Sequence, residues 1–174
     1  KNNEPLPPDK RPELDAMNAI ALSLERLQDY KSYPKDTVAQ DIKFIVHLIG
    51  DIHCPAHIVY PKIKRFFPVK IMGRVKKYHP IWDGMLEYNH NWGYEEWREQ
   101  LDRYSEEEIA AMSEGVPMSW ARENAKRCRV IYDWAKEGDE LDRKFINKAY
   151  PLAEDLVVRA SYRLAKLLNE LFDE

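Results

Sequence analysis

Three histidines and an aspartate fall within eleven positions of the stretch FIVHLIGDIHCPAH (44–57): His47, Asp51, His53 and His57. Their neighbours are mostly apolar, and burying polar groups without partners is costly. These four therefore need hydrogen-bond partners or a ligand. His47 and Asp51 are four residues apart, which puts both side chains on one face of a helix. An imidazole nitrogen and a carboxylate oxygen so placed can share one divalent cation, since zinc takes both at ~2.0–2.2 Å. His57 stands just beyond Pro55, and a bend at the proline could aim it at the same pocket. A second pair, His79 and Asp83 in YHPIWD, repeats the four-residue spacing. One H-x-x-x-D is a weak signal, because it also occurs as a helix-surface His–Asp pair. Two copies within 37 residues, plus His57, make His47, Asp51, His57, His79 and Asp83 candidate metal ligands.

Other residues of the region read differently. His53 is two positions after Asp51 and faces elsewhere on a regular helix, so it is expected to support the ligands from behind or to be a satisfied core histidine. His90 reads as structural or solvent-facing. Cys54 could bind zinc, but beside Pro55 it reads as a small buried residue. The five tryptophans read as core rather than as base-stacking surfaces. The basic stretch from Lys62 to Lys77 reads as a solvated loop, since it has no Gly-rich phosphate cradle.

The elements that must position these residues are helical. Residues 1–12, KNNEPLPPDKRP, are proline-rich and charged and read as an extended leader; residues 13–174 read as one helical domain. Leu14, Met17, Ile20, Ala21, Leu24 and Leu27 have helical spacing. Asp36 or Thr37 can cap a second helix that runs toward Asp51 and ends or kinks at Pro55. Residues 58–78 mix prolines, a glycine and basic residues with alternating apolar ones, and are the only stretch that reads as loop with short extended pieces. Further helices are expected near 81–90, 93–103, 105–113, 117–136 and 140–172, the last divided at Tyr150-Pro151. The fold class is all-α.

Bulk properties narrow the function. The 174 residues are 44% hydrophobic and 33% charged, with a formal net charge of −3. That balance gives no global basic field for nucleic acid or anionic lipid, so an anionic substrate would need a local cation such as a metal. No apolar run reaches the ~18 residues of a membrane span. Two cysteines, Cys54 and Cys128, do not make a disulfide framework, though they leave room for one bridge.

The string H-L-I-G-D-I-H-C-P-A-H followed by H-P-I-W-D resembles the zinc-dependent single-strand-specific nucleases of fungi, plants and bacteria, the S-one/P-one type. SWARENAKRCRVIYDW (119–134) and ASYRLAKLLNELF (160–172) resemble that family's last helices, and the likeness runs from about Leu14 onward. It implies a multi-helix fold shared with zinc phospholipase C and a cluster of up to three zincs at the bottom of a cleft. It implies hydrolysis of phosphodiesters in single-stranded DNA and RNA by metal-activated water, with release of phosphate from 3′-nucleotides. Carried over by residue, His57, His79 and Asp83 would hold one zinc. His47 and Asp51 would hold a second, with Asp51 bridging to a third, so Asp51 is the residue that catalysis is expected to require. The same likeness implies a secreted or periplasmic monomer acting on single-stranded nucleic acid or nucleotides, with no membrane partner.

Two departures stand out. In that family an N-terminal tryptophan and nearby His and Asp residues complete the paired site, whereas no histidine precedes His47 here. The expectation is a chain equivalent to the C-terminal two-thirds of the family fold. It would keep one complete protein ligand set and a paired site reduced to His47 and Asp51. Where many members carry D-x-G-G-N near the base pocket, this chain reads KRFFPVKIMGRVKKYHP, so base preference does not carry over, although Phe66 or Phe67 could stack on a base. Two other readings stand beside the nuclease: a phospholipase C-like phosphodiesterase, and a non-catalytic helical domain with at most one structural zinc.

Overall fold

The computed structural model describes residues 15–173, so the leader 1–12 and Leu14 lie outside the described residues. Helix α1 spans Ala16–Gln28; the Asp15 side chain caps it by accepting from the Asn18 amide at 2.7 Å, as N-cap aspartates do. Its buried residues Ile20, Ser23 and Leu27 follow the helical period. Helix α2, Lys35–His53, buries Asp41, Ile45, Ile49 and Ile52 on one face against α1. Pro34 occupies the cap position of α2, not Asp36 or Thr37. Asp36 instead sits in the first turn, where the helix dipole favours a negative charge.

The end of α2 sets up the site. Cys54 is its C-cap in an extended conformation (φ −78°, ψ 121°), as a residue before proline prefers. A single 3₁₀ turn, Pro55–His57, follows. The Ile52 carbonyl, left over at the helix end, accepts from the buried Asn124 side chain at 3.0 Å. Strands β1 (Pro68–Ile71) and β2 (Arg74–Lys77) form an antiparallel hairpin. Its two turn residues, Met72 and Gly73, both have positive φ, the geometry of a two-residue hairpin loop. The short helix α3, Tyr78–Asp83, begins directly after β2.

Helices α4 (Tyr94–Leu101), α5 (Glu106–Ser113), α6 (Pro117–Cys128) and α7 (Ile131–Trp134) come next. The expected 117–136 helix is thus interrupted near Arg129 and Val130, with no proline or glycine to mark the break. Strand β3, Glu140–Leu141, pairs parallel to β1; the sequence reading confined strands to 58–78, and two residues carry no periodicity to read. Helix α8, Arg143–Phe172, runs through Pro151 without division. Pro151 and Asn147 are both exposed, so the carbonyl freed by the missing proline N–H can bond to water.

Two apolar clusters form the core. One gathers Tyr78, Ile81, Trp82, Phe145 and Ala149 around β1, α3, α7 and the first half of α8. The other gathers Ile20, Leu27, Ile45, Ile49, Trp120 and Leu167 around α1, α2, α6 and the end of α8. Ile52 belongs to the second cluster and Ala56 to the first, so residues 52–56 cross the seam between them.

Asp41 is a buried carboxylate in the α1–α2 interface. It accepts from Ser23 Oγ at 3.0 Å and Arg26 Nε at 2.7 Å, and pairs with a second guanidinium nitrogen. The Arg26 hydrogen bonds hold its carboxyl below the usual range. A depressed carboxyl contributes stability above its unfolded value of ~3.9 and loses it as pH falls through the folded value. Asp41→Asn is therefore expected to cost about 2 kcal/mol near neutral pH, discounted because Arg26 can return to solvent. Denaturant unfolding of both proteins at several pH values should show that gap closing as pH falls below the unfolded value of ~3.9 and through the lower folded one. A gap independent of pH would remove the ion pair as its cause.

Candidate metal centre

His47, Asp51, His57 and Asp83 line a cavity of about 730 Å³, and His79 packs behind them against the His57 ring. Helix α2 presents His47 and Asp51 one turn apart, with His47 Nε2 3.3 Å from Asp51 Oδ2. Helix α3 presents His79 and Asp83 in the same way, with His79 Nε2 3.8 Å from Asp83 Oδ2. The 3₁₀ turn after Pro55 places His57 between them. Its Nδ1 lies 3.4 Å from Asp51 Oδ2 and its Nε2 3.1 Å from Asp83 Oδ1. One imidazole thus spans two carboxylates that are 32 positions apart in sequence. Its ring also lies against His79, with centroids 4.6 Å apart.

The donor chemistry fits a divalent cation. Among the described residues, the ion-pair partners of Asp51 and Asp83 are histidines, with no lysine or arginine. Two carboxylates converging with imidazole nitrogens are a donor set that a divalent cation can bind. Burial lowers the basicity of His79, against the opposing pull of Asp83, which favours the neutral ligand form. Its Nδ1 is buried without a hydrogen bond of ordinary geometry, helped only by the Ala56 backbone. Phe66 stacks on the same ring, with centroids 4.6 Å apart at 15°. It is exposed, whereas Phe67 is buried and stacked on Tyr78, which removes Phe67 as a surface for a base.

His53 is a fully satisfied core residue. Its Nδ1 lies 2.7 Å from the Ile49 carbonyl and its Nε2 2.9 Å from Arg163 Nη1. A carbonyl can only accept and a guanidinium only donate, so Nδ1 carries the proton and Nε2 accepts. Burial pushes this histidine down to about 4, in keeping with that neutral tautomer. Arg163 also donates to the Met112 carbonyl at 2.9 Å and pairs with Glu123, so His53 ties α2 to α5, α6 and α8. His90 stacks on Trp92 at 3.9 Å, away from the donor cluster.

Cys54 sits beside the donor cluster. Its thiol lies 3.4 Å from Asp83 Oδ1, and Cys54, His57 and Asp83 each offer a donor atom within 4.8 Å of the other two. The signal was there, since Cys54 stands three residues before His57, but a single cysteine beside a proline points as readily to packing. Both cysteines are free thiols. The cavity wall was also unforeseen. Trp97, Leu101, Val157 and Leu164 also line the cavity, whereas the sequence places Trp97 in the core.

The fold is all-α, and its site brings two helical His–Asp pairs together around a third histidine, a donor set suited to a metal ion. The chain is a member of the S1/P1 Nuclease family, whose model matches residues 2–173. It is 24% identical to Endonuclease 2 of Arabidopsis thaliana over 155 residues, covering 78% of this chain and 52% of that protein. It is 26% identical to Nuclease S1 of Aspergillus oryzae over 152 residues, covering 74% of this chain and 53% of that protein. The chain thus spans about half the length of these relatives.

Proposed function

We propose that this chain carries the metal-binding part of a nuclease that hydrolyses phosphodiester bonds in single-stranded nucleic acid, with zinc as the cation. The observation that supports this reading is the position of His57, in contact with Asp51 of one H-x-x-x-D pair and Asp83 of the other. His57, His79 and Asp83 would hold one cation, and His47 and Asp51 would contribute to a second site. When bound, zinc lowers the pKa of a coordinated water and neutralises charge on the phosphoryl oxygens.

The protein residues do the rest. Asp51 and Asp83 flank the two ring nitrogens of His57, at 3.4 Å from Nδ1 and 3.1 Å from Nε2, and would hold the imidazole in place; carboxylates commonly orient ligating histidines in this way. The neutral His79 needs no proton removed before it can donate. Asp51, shared by His47 and His57, is the residue whose loss should reach both sites. Trp97 and the apolar wall of α4 and α8 offer a surface on which an unstacked base can lie, and they exclude water from one side of the cleft. The net charge of −3 is compatible with a polyanionic substrate once the carboxylates are neutralised locally. Release of phosphate from 3′-nucleotides and export from the cell belong to the same proposal and rest on the resemblance alone.

Hydrolysis of single-stranded DNA, measured with and without a chelator, tests the proposal. The expected result is loss of activity on chelation, recovery with zinc, and no recovery in Asp51→Ala despite wild-type helix content. Activity that ignores the chelator, or an active Asp51→Ala protein, would sink it.

A further inference from the structure

Asp83 has a neighbour that neither histidine pair predicts. Its Oδ1 is 3.4 Å from Cys54 Sγ and 3.1 Å from His57 Nε2. The three donor atoms all lie within 4.8 Å of one another. A tetrahedral zinc-class cation, with bonds of ~2.3 Å to sulfur and ~2.0 Å to nitrogen and oxygen, spaces such donors roughly 3.3–3.5 Å apart. The two separations from Asp83 Oδ1, 3.4 Å to sulfur and 3.1 Å to nitrogen, are within a few tenths of an ångström of that spacing before any cation draws the groups together.

The backbone explains why the thiol is there. Cys54 leaves helical geometry because Pro55 follows it; its extended conformation lets the side chain turn from the axis of α2 toward the last residue of α3. It is only partly buried, whereas Cys128 is completely so. A cysteine placed only for packing would not need a carboxylate oxygen as its polar neighbour.

We infer that Cys54 is a ligand to the cation held by His57 and Asp83, and that its sulfur selects borderline and soft divalent ions of the zinc and cobalt class over magnesium and calcium. The inference rests on the proposed metal reading. On binding, the S–H bond breaks heterolytically: sulfur keeps the electron pair and donates it to the cation, and the proton leaves to solvent. No electron is transferred, so no oxidant or reductant is required. Asp83 Oδ1, the acceptor for the thiol, is then free to face the cation. His79, beside the other oxygen of Asp83, is the next donor in reach.

Cobalt(II) reports sulfur directly. Metal-free protein kept reduced is titrated with cobalt(II), wild type beside Cys54→Ser. The wild type is expected to develop visible d–d bands together with a sulfur-to-cobalt charge-transfer band in the near ultraviolet. Cys54→Ser should keep the d–d bands, lose the charge-transfer band and bind zinc at least about tenfold more weakly, with weak magnesium binding unchanged. Cobalt bound by the wild type without a charge-transfer band overturns the thiol ligand and leaves the histidine–carboxylate site standing. No cobalt bound at all overturns the metal reading itself. The wild-type spectrum decides between these outcomes even if the serine variant folds poorly.

Discussion

Asp83→Asn is expected to weaken zinc binding by about 100-fold or more, roughly 3 kcal/mol, while leaving the fold intact. Asp83 is the hub of the donor cluster, with His57 at 3.1 Å, Cys54 at 3.4 Å and His79 at 3.8 Å. The amide keeps the shape of the side chain and removes its charge, so the loss reports electrostatics rather than packing. Stability without metal should change by no more than about 0.5 kcal/mol, because a partly exposed carboxylate facing histidines contributes little on its own. Competition with a chromophoric chelator measures the affinity, and denaturant unfolding of the metal-free protein measures the stability. Wild-type zinc affinity in Asp83→Asn would show that Asp83 is not a ligand.

Arg163→Met should do the opposite, costing about 3 kcal/mol of stability in the metal-free protein. Arg163 is 2% exposed and lies over the Trp120 ring at 5.2 Å. Removing it strands the Met112 carbonyl and the accepting Nε2 of His53, both bonded to it at 2.9 Å. Glu123 suffers less, since Arg127 and Arg159 remain 3.4 and 3.7 Å away; the estimate therefore sits at the low end of the cost of breaking a buried pair. Methionine fills much of the volume, so unpaired polar groups rather than a cavity dominate the loss. Unfolding midpoints in urea check the value. A cost below about 1 kcal/mol would mean that water or a rearranged His53 satisfies those groups.

Much of this site was legible one helix at a time. The pairs His47–Asp51 and His79–Asp83 could be read because four residues is one turn, and the stop at Pro55 because proline constrains the residue before it. What joins the pairs is tertiary. The contact of His57 with Asp83 spans 26 positions, and no local period encodes it; only the resemblance to a family pointed there. Cys54 could not be placed beside the ligands from sequence because its contact with Asp83 spans 29 positions. Strand β3 was missed because it exists only through pairing with β1. Pro151 was read as a divider because the rule considers the lost hydrogen bond and not which face of the helix bears the loss. For His53 the sequence leaves open support of the ligands or a satisfied core position; its partner Arg163 lies 110 positions away, beyond the reach of any local pattern.

The seam at residues 52–56 has a thermodynamic consequence. Donors from α2 hang from one apolar cluster and donors from α3 from the other. The cation proposed at Cys54, His57, His79 and Asp83 would join the cap residue of α2 to α3 across the seam, so its binding free energy would favour the state in which both clusters are assembled. Saturating metal should therefore raise the unfolding midpoint of the chain as a whole.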